Sequence, residues 1–214
     1  MSVSAAGDAI EAWRPLTTGA PGERAILDEL AGRYAEAHRR YHGVGHIGAL
    51  ARAFAWVAEA GPGWLEPREV QLAILFHDAI YEPLRADNEA RSAQLARARL
   101  SGWSGVDVER VAAMIEATAA HGLADTEGDP DLAHFLDADT AILGAPPSVY
   151  DRYAEGVRQE FAAVPESLYV AGRRRFLSAQ LERERLYHSA SFGDRHEHAA
   201  RANLRRELAS LGQA

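Results

Sequence analysis

The sequence predicts an all-α protein on three observations. Apolar residues recur mostly three and four positions apart, alternating strand-like runs are scarce, and Gly and Pro fall where helices must stop or start. Helices are expected at about 23 to 40, 45 to 60, 67 to 81, 87 to 100, 106 to 121, 130 to 143, 147 to 163, 166 to 186 and 194 to 211. Gly61-Pro62-Gly63 separates the second from the third, which Pro67 opens in its first turn. Ser101-Gly102 closes the fourth, Gly122 follows the fifth, and Pro146-Pro147 stops the sixth while starting the seventh. Residues 124 to 130 form the most polar loop. No repeat, low-complexity linker or composition shift marks a boundary, so one helical domain over residues 1 to 214 is expected.

Composition excludes several chemistries. The 214 residues include 23 basic and 31 acidic side chains, a net charge of −8, which argues against bulk attraction to nucleic acid or an anionic membrane. All the basic residues are Arg, so Schiff-base lysine and the lysine-bearing phosphate loop are ruled out. With no Cys there is no thiol nucleophile, disulfide or thiolate metal site. Any metal must sit on His, Asp and Glu. The stretch Met1 to Ala12 carries Asp8 and Glu11 without a basic start or apolar run, and Leu72 to Phe76 is too short to span a bilayer. A soluble, cytoplasmic protein is therefore expected.

The segment Leu72 to Tyr81 places adjacent His77 and Asp78 at the end of a strongly apolar helix. A carboxylate buried there costs several kcal/mol unless it is paired or bound to a cation. Taken alone, a His–Asp hydrogen bond without metal explains the pair. Two further segments shift the balance. Tyr41-His42-Gly43-Val44-Gly45-His46-Ile47 puts two histidines four apart at a helix entry, and Phe135-Leu136-Asp137-Ala138-Asp139 puts two carboxylates in an apolar helix. Mixed imidazole and carboxylate ligands suit a divalent ion among Mn, Fe, Co, Ni, Mg or Zn, with positions left for water and substrate. Gly43-Val44-Gly45-His46-Ile47-Gly48 also matches a dinucleotide fingerprint. That motif needs a buried strand before it, and Ala37 to His42 is not one.

These four motifs in order, Tyr41 to Ile47, Phe76 to Ala79, Asn88 to Ser92 and Leu136 to Asp139, resemble the HD superfamily of metal-dependent phosphohydrolases, and more narrowly a bacterial branch of predicted members. The resemblance runs from about Trp13 to Leu208 and implies a single HD-type helical bundle. It makes His46, His77, Asp78 and Asp139 the metal ligands. His46 is preferred to His42 because the family's first ligand directly precedes an aliphatic residue, here Ile47. Asp139 is preferred to Asp137 because the last ligand follows a small residue, and Asp137 then orients a ligand or caps a neighbouring group. Gly43 and Gly45 depart from the family's larger polar residues and would loosen the helix entry.

Other candidates follow. Glu82, four residues after Asp78, would share its helical face and could act as base. Asn88, Glu89 and Ser92 match the next family motif, with Glu89 a second candidate catalytic carboxylate, although Asn88-Glu89 also reads as an ordinary first helical turn. His42 and His121 could contact phosphate, and His121 could instead ligate a second metal. Arg173, of Gly172-Arg173, and Arg201, of Ala200-Arg201-Ala202-Asn203, match family motifs and could contact substrate or brace the site. His38, His134, His188, His196 and His198 read as surface or packing residues; Trp56, Trp64, Phe135 and Tyr153 read as core. The expected function is metal-dependent hydrolysis of a nucleotide or other small phosphorylated metabolite, in a possible homo-oligomer. The alternatives are a catalytically silent module binding a nucleotide or partner, and an HD-type di-iron oxygenase.

Overall fold

The structure, a computed structural model, describes residues 22–212, and among these it is all-helical with no strand. The expected amino-terminal stretch 1–12 and the Trp13 edge of the expected core lie outside the described residues. Nine helices follow in order: α1 (Glu23–Tyr34), α2 (Val44–Glu59), α3 (Pro67–Phe76), α4 (Asn88–Leu100), α5 (Val108–Ala117), α6 (Pro130–Thr140), α7 (Pro147–Glu160), α8 (Glu166–Glu182) and α9 (Ala190–Ser210). Short 3-10 turns occupy His121–Leu123 and Ala141–Gly144. Starts are encoded locally. Asp107 accepts the Arg110 N–H, Asp129 accepts the Leu132 N–H, and Ser189 Oγ accepts the Phe192 N–H, while Pro67, Pro130 and Pro147 occupy first turns.

Several helices stop earlier than periodicity implies. The third, expected to reach residue 81, ends at Phe76, with His77 as its cap. Beyond it, side chains of α4 take over the backbone: Ser92 Oγ accepts the Ile80 N–H at 3.0 Å, and Asn88 Oδ1 accepts the Glu82 N–H at 3.1 Å. Those bonds satisfy groups that would otherwise need another helical turn. The first helix likewise stops at Tyr34 rather than 40. Its successor segment folds around Arg39, whose guanidinium donates to the carbonyls of His42, Asp78 and Ala79 at 3.0, 2.7 and 3.2 Å.

Two apolar clusters form the interior. One joins α1–α5 through Leu30, Ile47, Leu50, Ile74, Phe76 and Ile115; the other joins α7–α9 through Tyr150, Val157, Leu177, Phe192 and Leu204. Helix α6 belongs to both, with Phe135 and Leu136 in the first and Ala138 in the second. Each large side chain removed from water stabilises the fold by roughly 1.5–3 kcal/mol. Trp56 and Trp64 are half-buried against these clusters, and Phe135 and Tyr153 are buried within them, as expected. Where α9 crosses the 141–144 turn, a Cβ on Gly144 would fall 2.7 Å from His196 Cβ, so only glycine permits that approach. The seam between the clusters is where α2, α3 and α6 meet.

No helix among the described residues is long and apolar enough to cross a membrane.

Candidate metal centre

Three helices bring the predicted ligands to one point in that seam. His46 lies in the first turn of α2, His77 caps α3, and Asp139 lies near the end of α6. His46 Nε2 is 3.1 Å from His77 Nε2, and Asp139 Oδ1 lies 2.9 Å from the former and 3.5 Å from the latter. These three residues offer ligand atoms all within 4.8 Å of one another. Asp78 stands against them, with Oδ2 3.2 Å from His77 Nε2 and 3.6 Å from His46 Nε2. The glycines of the α2 entry do not prevent this. Gly43 caps the helix in an extended conformation, and α2 begins at Val44.

The donor set fits a divalent cation. His77 Nδ1 is 2.9 Å from the Ile74 carbonyl, so in the neutral ring Nδ1 carries the hydrogen and the Nε2 lone pair faces His46. Two imidazole nitrogens turned on each other need a proton or a cation between them. Carboxylates supply the compensating charge, and a carbonyl fixes the ligand tautomer, as metal sites require. In the metal-free protein, burial disfavours charge on His77, but Asp78 and Asp139 outweigh it and hold its pKa well above the usual value. Burial would likewise raise Asp78 and Asp139, yet the neighbouring imidazoles, His77 foremost, hold both below the carboxylate range.

The cluster opens onto a cavity of about 510 Å³, whose wall includes His42, His46, Asp78, Glu89, His121 and Asp139. His121 Nε2 lies 2.6 Å from Asp139 Oδ2, on the carboxylate oxygen that does not face His46. His188, expected to be a surface or packing residue, braces this turn with Nε2 2.8 Å from the His121 carbonyl. His42 Nδ1 donates to Glu160 Oε2 at 2.7 Å, and its ring packs on Tyr81 at 4.3 Å between centroids. Burial lowers the His42 pKa, but the bond to Glu160 and the charges of Asp78, Glu160 and Asp139 carry it above its ordinary value.

Glu82 meets a different arrangement from the one expected, while Arg173, Arg201 and Asp137 take the structural alternatives left open for them. Glu82 does not share a helical face with Asp78, because α3 has already ended; its carboxylate is 56% exposed and takes Arg91 at 2.9 Å. Arg173 is directed away from the cavity into a bidentate pair with Glu207, at 2.7 and 3.0 Å. Arg201 closes the end of α8, donating to the carbonyls of Leu181, Arg183 and Glu184 and to Glu197. Asp137 is buried against the start of α9, accepting the backbone N–H groups of His188 and Ser189 and the Ser189 hydroxyl at 2.7, 2.8 and 2.6 Å.

The sequence reading missed Glu160 and Arg39. Glu160 Oε1 accepts the N–H groups of Arg40, Tyr41 and His42 at 2.7–2.9 Å, and Oε2 accepts the Tyr81 hydroxyl as well as His42. Nothing in α7 distinguishes it from a solvated charge; its partners lie 79 to 120 positions upstream. No family profile, curated protein or solved structure matches this chain.

Proposed function

We propose that the protein is a metal-dependent phosphohydrolase of the HD superfamily, acting on a nucleotide or other small phosphate ester. The observation that carries this reading is the meeting of His46 Nε2, His77 Nε2 and Asp139 Oδ1 within 2.9–3.5 Å at the floor of an open cavity. His46, His77 and Asp139 would hold the ion, with Asp78 beside them. When bound, the ion supplies Lewis acidity toward phosphoryl oxygens and an acidified water.

The chain's own residues do the rest. His42, whose pKa Glu160 and the neighbouring carboxylates raise against the effect of burial, faces the phosphoryl group from the cavity wall. Glu89 lines the same cavity and, among the described residues, has no ion pair, which favours it over Glu82 as the carboxylate that takes a proton from the attacking water. His121 orients Asp139 through its outer oxygen. Ile142, Leu143 and Phe176 give the cavity an apolar side suited to the organic part of an ester.

Elemental analysis and a panel of nucleotides and sugar phosphates, assayed with several divalent ions, test the reading. Alanine at His77 or at Asp78 is expected to remove both bound metal and turnover while retaining the helical circular dichroism signal. Full activity in a metal-free Asp78→Ala protein would refute it. One observation favours a second reading, an HD-type oxygenase: His121 Nε2 lies 2.6 Å from Asp139 Oδ2, and the two residues would hold a second ion. Two irons per chain without phosphate-ester turnover would select the oxygenase.

A further inference from the structure

In a chain whose basic residues are all arginine, recognition of an oxyanion with fixed charge falls to guanidinium groups. Three arginines around the centre are already engaged. Arg39 serves carbonyls and Glu36, Arg173 is bidentate on Glu207, and Arg201 serves Glu197 and the end of α8. Arg183 differs from all three. It follows the last residue of α8, is half-buried, and is the arginine in the wall of the cavity that holds His46, Asp78 and Asp139. Among the described residues no carboxylate lies within ion-pair distance of it, and its guanidinium makes one hydrogen bond, from Nη1 to Gln180 Oε1 at 2.9 Å.

A second observation is independent of that one. A Cβ at Gly122 would fall 2.1, 2.2 and 2.5 Å from Arg183 Cζ, Nη1 and Nη2, so the guanidinium rests directly on the Gly122 backbone. Gly122 does not have the left-handed φ that would itself call for glycine. What a side chain there would meet is the guanidinium, which would have to move aside. His121, the preceding residue, is the one that touches Asp139. The base of the side chain is also fixed, because Arg201 Nη2 donates to the Arg183 carbonyl at 2.8 Å.

A guanidinium that has lost part of its water without gaining a carboxylate has unused donors suited to a bidentate oxyanion. We propose that Arg183, seated on Gly122, is the anchor for a phosphate group of the substrate. The identity of the anion rests on the phosphohydrolase reading; the capacity to hold an anion rests on the geometry of Arg183 and Gly122.

The test is calorimetric binding of inorganic phosphate to the full chain in saturating Mn²⁺, comparing the wild type with Arg183→Met and Gly122→Ala. Loss of a charge-assisted contact predicts about tenfold weaker phosphate binding, or more, for Arg183→Met, with unchanged metal content and circular dichroism. Gly122→Ala is expected to weaken binding in the same direction by pushing the guanidinium aside, and carries the test if Arg183→Met fails to fold. Unchanged phosphate affinity in the variants, or no phosphate binding by the wild type, overturns the proposal. The two readings separate cleanly. Arg183-dependent phosphate binding without ester turnover would leave the anchor standing and remove the hydrolase, whereas turnover with unaltered kinetics in Arg183→Met would do the reverse.

Discussion

Asp137, buried, and Asp139, half-buried, sit two residues apart in α6 and do opposite things. Asp137 faces the junction with α9 and is saturated by three donors from His188 and Ser189. Burial raises its pKa, and those donors only partly offset the rise. Asp139 faces the α2–α3 seam and meets the imidazoles of His46, His77 and His121, which hold its carboxyl well below the ordinary range against the same kind of burial. One carboxylate closes a helix start with neutral N–H and O–H groups, and the other stays ionised among groups that can equally bind a metal. The character of the partners, more than the depth of burial, separates a structural acid from a candidate ligand.

Substitution at each position sharpens that contrast. On the proposed function, Asp139→Ala is expected to lower phosphate-ester turnover by on the order of a thousandfold, since a bound ion would contribute several kcal/mol of charge stabilisation. Asp137→Ala orphans three buried donors and should instead cost about 2–4 kcal/mol of stability, read by thermal or denaturant unfolding, while the folded fraction still binds metal. Equal loss of metal in both variants would erase the distinction between the two faces of α6.

A smaller effect tests the wall beside the centre. Burial would raise Glu160, but the His42 imidazole and the N–H groups of His42 and Tyr41 outweigh it and hold the carboxyl at about 2 instead of 4.5. A depressed carboxyl stabilises the fold above its unfolded pKa and loses that contribution as pH falls through the folded value. Stability on the order of 2 kcal/mol, allowing for solvent screening, should therefore disappear between about pH 4.5 and pH 2. Chemical denaturation across that window should show the loss in the wild type and a flatter profile in Glu160→Gln. Identical profiles would mean that Glu160 does not hold the 40–42 turn.

Much of the centre could be read from sequence because burying a charge is costly. Tyr41 to Ile47, Leu72 to Tyr81 and Phe135 to Leu143 stand out for polar groups in apolar helices, while the choice of His46 over His42 and of Asp139 over Asp137 rests on the resemblance to the HD superfamily. Helix ends were less legible. Periodicity ran α3 on to residue 81, whereas Ser92 and Asn88 draw the 80–82 backbone out of the helix, and such long-range side-chain bonds leave no local signature. That error carried Glu82 onto the wrong face. Glu160 and Arg183 were illegible for the same reason: each looks like a charge on an ordinary helix until residues 40–42, or Gly122, are folded against it.

The central claim is that imidazole and carboxylate from α2, α3 and α6 converge to bind a divalent ion. Titration of the full chain with Co²⁺, followed by its visible d–d absorption, measures this most directly. The account predicts a saturable ligand-field spectrum in the wild type and in Asp137→Asn, and its loss in Asp139→Asn and in His77→Ala. A wild-type protein with no such spectrum, or an Asp139→Asn protein that titrates as the wild type does, would contradict it.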